Sequence, residues 1–146
     1  MMSCTFFGHR ECYGLDEKML RDAIERLITN GVTTFYVGNQ GDFDGMVFRC
    51  LTQLEKVYPH ISCSVVLAYL PKQKQEYDSY AGYSLYPEGL ETVPPRFAID
   101  KRNRWMIERA EYCVCYVNNT FGGAYKFARM AKRKGLTVIN LGSAEL

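Results

Sequence analysis

The chain predicts an α/β protein built on a parallel sheet with helices on both faces. Two observations carry this expectation. Short, nearly uninterrupted apolar runs alternate with longer amphipathic stretches along the 146 residues, and strands that are apolar on both sides belong to sheets buried from both sides. In addition, two polar loops, Gly38-Asn39-Gln40-Gly41-Asp42-Phe43-Asp44 and the stretch ending in Gly122-Gly123, each follow an apolar run and lead into a helical pattern. A strand, a glycine-containing loop and a helix start in that order bring unpaired N–H groups and the positive end of a helix dipole to one place, which favours a phosphate.

The elements follow in sequence. Met2 to Phe7 reads as a first strand, left through Gly8-His9-Arg10. Met19, Leu20, Ala23, Ile24, Leu27 and Ile28 make one apolar helical stripe, with Asp16 as N-cap and Gly31 as the stop. A second strand, Thr34 to Val37, enters the Gly38 loop. A second helix then carries Val47, Cys50, Leu51, Leu54 and Val57 and ends before Pro59. Ile61 to Leu70 reads as a third strand. From Pro71 to Pro95 the pattern lapses, with Tyr77, Tyr80, Tyr83 and Tyr86 three apart. That spacing suits one face of a helical turn that either stacks on a base or packs on a neighbouring copy of the chain; the alternative is a surface loop whose tyrosines cover the sheet edge. Ile99 to Ala110 is a third helix, Tyr112 to Val117 a fourth strand, and Phe127, Ala128 and Ala131 mark a fourth helix stopping at Gly135. Thr137 to Leu141 is the fifth strand. No repeat or linker interrupts the chain, so residues 1–146 are expected to form one domain.

Bulk properties exclude several classes. No apolar window is long enough for a membrane span, and the N-terminus lacks a basic segment followed by an apolar one, so a cytoplasmic protein is expected. The net charge is +2, with Lys and Arg scattered except at Lys101-Arg102-Asn103-Arg104 and Lys132-Arg133-Lys134, which is little for a nucleic-acid footprint. Cys4, Cys12, Cys50, Cys63, Cys113 and Cys115 form no C-x-x-C pair. Several lie within predicted strands, which suits reduced core thiols. With His9 and His60 the only histidines, no zinc set is expected. Asp42 and Asp44 begin like a calcium loop but lack its later ligands.

Individual residues carry open alternatives. Arg10 suits bidentate phosphate binding and His9 a ribose or phosphate contact, against a role in closing the loop. Asp44 caps the helix after the Gly38 loop or bonds a ligand hydroxyl. Arg102 and Asn103, at a helix start, line a cleft or point to solvent.

Together, Thr5-Phe6-Phe7-Gly8-His9-Arg10, the Gly38 to Asp44 loop, Arg102-Asn103-Arg104-Trp105-Met106 and Gly122-Gly123-Ala124 resemble the Rossmann-like SLOG superfamily, which includes DprA and LOG proteins. The resemblance is greatest to its branch of uncharacterised bacterial proteins of the DUF1273 and YpsA type, and it covers nearly the whole chain. It implies a three-layer sandwich around a five-stranded parallel sheet, order 3-2-1-4-5, with a nucleotide or nucleotide-derivative site at the carboxyl ends of the strands. The candidate ligand contacts are Gly8, His9, Arg10, Gly38, Asn39, Gln40, Gly41, Asp44, Arg102, Asn103, Asn118, Gly122 and Gly123. The implied function is binding of such a ligand in a sensing or signalling role, with no other cofactor and no metal, and with self-association left open. LOG proteins also imply a phosphoribohydrolase alternative. Their catalytic Glu, however, falls here near Tyr125 and Lys126, neither of which offers the carboxylate that glycosidic cleavage needs. Catalytic residues therefore stay unassigned. A DprA-like nucleic-acid role is the least favoured reading at this net charge.

Overall fold

The computed structural model describes residues 2–70, 80 and 82–146. Strand β1 (Met2–Gly8) lies near the centre of a parallel sheet, because its residues between Ser3 and Phe7 are all buried and must be covered on both sides. Helix α1 (Glu17–Thr29) starts where the Asp16 side chain accepts a hydrogen bond from the Lys18 N–H at 3.0 Å, and the chain leaves it through Gly31 at φ +102°. β2 (Val32–Val37) begins two residues before the expected Thr34, since buried Val32 already pairs with Met2. Next come α2 (Asp42–Val57), β3 (Ser62–Val66) and β4 (Ser84–Leu85). After two short 3₁₀ turns follow α3 (Ala98–Glu108), β5 (Tyr112–Tyr116), α4 (Gly123–Arg133) and β6 (Thr137–Asn140).

The sheet has six strands in the order β4-β3-β2-β1-β5-β6, one more than the five expected. The additional strand, Ser84–Leu85, lies beside β3 at the edge. It is only two residues long, too short to show an alternating pattern in sequence. The order of the other five matches the expectation, and every pairing is parallel.

Side chains on opposite faces of the sheet form two cores. Cys4, Phe6, Phe35, Val114 and Tyr116 pack with α1 and α2 through Leu20, Ile24, Phe43, Val47 and Leu51. Phe7, Cys113 and Cys115 pack with α3 and α4 through Met106, Ile107, Phe127 and Ala128. The alternation along β1 and β5 follows from the two-residue period of a strand. Burial pushes the Cys4 thiol up and raises the Cys63 thiol to about 12, so these cysteines stay protonated as small apolar core groups.

The described members of the tyrosine row, Tyr80, Tyr83 and Tyr86, do not lie on a helix. Tyr80 and Tyr83 each place a ring 5.3 Å from Phe48 of α2, the Tyr83 hydroxyl donates to Glu55 at 2.8 Å, and the chain then enters β4. These rings cover α2 and the β3 edge instead of presenting a stacking surface. Tyr77 lies outside the described residues.

Candidate functional site

The carboxyl ends of β1 and β2 and the starts of α2 and α4 converge on a cleft of about 330 Å³, closed on one side by α3. It is built first by a close approach. A Cβ on Gly8 would lie 2.2 Å from the Phe43 ring, so the glycine allows α2 to dock directly on the end of β1. The two loops are then tied together by the Asp42 N–H donating to the Arg10 carbonyl at 2.7 Å. Gly41, at φ +97°, packs against the Arg10 backbone behind this junction.

A polar pair lies at the base of the cleft. Arg102 and Asn103 belong to the second turn of α3, not to a helix start, and both are buried; Arg102 is only 2% exposed, which overturns the solvated alternative. The guanidinium is held by Nε donating to Asn103 Oδ1 at 2.8 Å and Nη1 donating to the Val66 carbonyl at 2.9 Å. Across from it stands Asp44, whose Oδ2 accepts the Gln40 N–H at 2.9 Å. The N-cap of α2 is Gly41, so Asp44 lies within the first turn and reaches back to the loop. Gly38 separates the pair: a Cβ there would be 2.9 Å from both Arg102 Nη1 and Asp44 Oδ2. No ion pair within 4.0 Å joins them among the described residues. Burial raises the Asp44 carboxyl to about 6, opposed by the Gln40 hydrogen bond and by the positive charge of Arg102. Burial likewise lowers Arg102.

The opposite wall is the N-terminus of α4. Gly122, at φ +90°, is its N-cap and supplies no side-chain hydrogen bond, and a Cβ on Gly123 would meet nothing within 4 Å. No side chain caps the first N–H groups of this helix, which leaves them available to an anion. Arg10 lies exposed on the cleft lining, and no hydrogen bond or ion pair holds its guanidinium among the described residues.

Of the candidate contacts, Gly8, His9, Arg10, Gly38, Gln40, Asp44, Arg102, Asn103 and Gly123 line the cleft, whereas Asn39, Gly41, Asn118 and Gly122 do not. Asn39 accepts from the Gln40 side chain. Asn118 Oδ1 accepts from the Ser143 N–H and hydroxyl, fixing the C-terminal segment, while its N–H donates to His9 Nε2 at 2.8 Å. His9 thus helps to close the loop while lining the cleft. Phe6, Phe7, Ile99, Met106, Ala124 and Phe127 supply apolar walls; in the sequence they read as core positions or as members of the quoted motifs, and nothing local marks them as cleft lining. Lys126, which with Tyr125 stands near where the LOG resemblance would put a carboxylate, is paired with Asp100 at 2.8 Å. Glu111 accepts the Ser3 N–H, and Glu108 lies beside Arg109. Asp44 is the one carboxylate among the lining residues. No cluster of three His, Cys, Asp or Glu side chains suited to a metal occurs among the described residues. None of their helices is long and apolar enough to cross a membrane.

No family model matches the chain, and no curated protein matches its sequence. A solved structure of DNA processing protein A from Helicobacter pylori, described for its single-stranded DNA binding mode, is similar over 98% of this chain, with a TM-score of 0.66 and 14% identity. This chain spans 66% of that protein's length. At such identity the likeness establishes a common Rossmann-like α/β fold and nothing about ligands.

Proposed function

We propose that this domain, as a SLOG-type protein of the DUF1273 and YpsA kind, binds a nucleotide or small nucleotide derivative in the cleft. The observation that carries the reading is Arg102, a buried residue on the cleft lining whose Nη2 has no hydrogen-bond partner among the described residues. Nη2 is not sealed in the interior, so a ligand in the cleft can supply the acceptor that this charged donor lacks. The open N-terminus of α4 and the free Arg10 add positive potential for a phosphate, and the apolar walls suit a base or sugar face. A volume of about 330 Å³ is at the small end of ligand sites, matching one mononucleotide better than a dinucleotide.

Thermal unfolding with a panel of nucleoside monophosphates, diphosphates and ADP-ribose tests this. A ligand at a hundred times its Kd adds about 2.7 kcal/mol to the native state. A panel that leaves the melting temperature unmoved overturns the reading.

A second reading, single-stranded DNA binding, is favoured by the description of the solved neighbour. A net charge of +2 and a lining whose only exposed arginine among the described residues is Arg10 argue for a small ligand instead. Fluorescence anisotropy of a labelled oligothymidylate at two salt concentrations separates the two.

A further inference from the structure

The polar base of the cleft has a specific incompleteness. Arg102 spends Nε on Asn103 and Nη1 on Val66, which leaves Nη2 without a protein partner among the described residues. Asp44 spends Oδ2 on Gln40, and Oδ1 likewise has none. Both residues are more than nine-tenths buried, both line the cleft, and neither free atom is sealed away from it. Both side chains approach Gly38, and no ion pair joins them among the described residues, so neither satisfies the other.

A ligand group that completes this base must donate to a carboxylate oxygen and accept from a guanidinium within the same small space. Phosphate accepts but cannot donate when fully ionised, and it would be repelled by Asp44. An ammonium donates but cannot accept, and it would be repelled by Arg102. A hydroxyl does both, and two adjacent hydroxyls offer one such group to each residue.

We propose that Asp44 and Arg102 form a sugar-reading pair that binds the vicinal hydroxyls of a ribose, making the domain selective for ribonucleotides over deoxyribonucleotides. This rests on the mononucleotide reading of the cleft and narrows its ligand class. Asp44 Oδ1 accepts a hydroxyl proton and Arg102 Nη2 donates to a hydroxyl oxygen, while the phosphate lies towards Gly123. A 2′-deoxy sugar leaves at least one of these buried atoms unfilled, and an unsatisfied buried polar atom costs enough to give about a tenfold loss of affinity or more.

The test is calorimetric titration at pH 8 with AMP and 2′-deoxy-AMP, repeated with ribose 5-phosphate and 2-deoxyribose 5-phosphate so that the identity of the base does not matter. The parent protein is expected to prefer the ribo form by about tenfold or more. Asp44→Ala should bring the ratio close to one. Asp44→Asn, nearly isosteric and able to keep the Gln40 hydrogen bond, should reduce the ratio and carries the test if the alanine variant fails to fold. Equal affinity of the parent for both sugars, or a preference that survives both substitutions, overturns the inference while leaving nucleotide binding intact. Binding of neither sugar in either series overturns the mononucleotide reading and the sugar pair with it.

Discussion

Asp44→Asn should make the unliganded protein more stable at neutral pH, although it removes a residue from the candidate site. The Asp44 carboxyl is raised from its ordinary value of 3.8 to about 6, chiefly by burial. Between those values the folded chain holds a proton on Asp44 that the unfolded chain has released. Stability therefore falls as pH rises through the window from 3.8 to about 6, and the deficit stays constant above it. That interval corresponds to about 3 kcal/mol. The attraction of Arg102 is already contained in it, because that charge pulls the carboxyl down. Asparagine has no charge to desolvate and retains an oxygen for the Gln40 N–H. Urea unfolding of parent and variant at pH 4 and pH 7.5 provides the measurement, and subtracting the two proteins cancels titrations elsewhere. The variant should exceed the parent by up to about 3 kcal/mol at pH 7.5, with the gap closing towards pH 4. A gap independent of pH, or a variant less stable at pH 7.5, would refute the view that Asp44 is a buried carboxylate held at a net cost. A destabilising charge retained at a cleft is the usual trade of stability against function.

Gly123→Val should fold normally, since a Cβ there meets nothing within 4 Å and the backbone is not left-handed, yet lose nucleotide binding because the side chain occupies the space over the α4 N–H groups; unchanged affinity by titration would place the phosphate elsewhere. Its control, Gly135→Ala, strains a residue at φ +94° remote from the cleft, so melting should fall by about 1 kcal/mol equivalent with affinity preserved. Gly8→Ala drives a methyl to 2.2 Å from the Phe43 ring and should cost about 2 kcal/mol or more in urea unfolding; combined with Phe43→Ala, the two losses should be clearly less than additive, and strict additivity would deny the contact. Release of free base from nucleoside monophosphates, followed chromatographically, should be absent or far below about 1 per second, because Lys126 is paired with Asp100 and no carboxylate stands at that position.

Much of the framework was legible in the sequence. Periodicity separated apolar strands such as Tyr112–Tyr116 from amphipathic helices such as Glu17–Thr29, and Asp16 caps as its residue type and place demand. These features depend on neighbours a few residues apart, where chain geometry alone decides which side chains meet. The location of the cleft was legible for the same reason, since a glycine loop between a strand and a helix is a local arrangement.

What only the tertiary structure decided is what each polar side chain meets. Lys101, Arg102 and Arg104 look alike in sequence, yet Arg102 alone of the three is buried, fixed by Val66, which is 36 residues away. Asp42 and Asp44 share the first turn of α2, but only Asp44 is buried. Gly8 reads as a ligand-contacting glycine, and its necessity comes from Phe43. Ser84–Leu85 becomes a strand because the edge of β3 is there to receive it, with the Leu67 N–H donating to the Leu85 carbonyl at 2.8 Å. Burial, close approach and pairing at an edge are relations between residues far apart in the chain, and no local pattern encodes which distant partner will arrive.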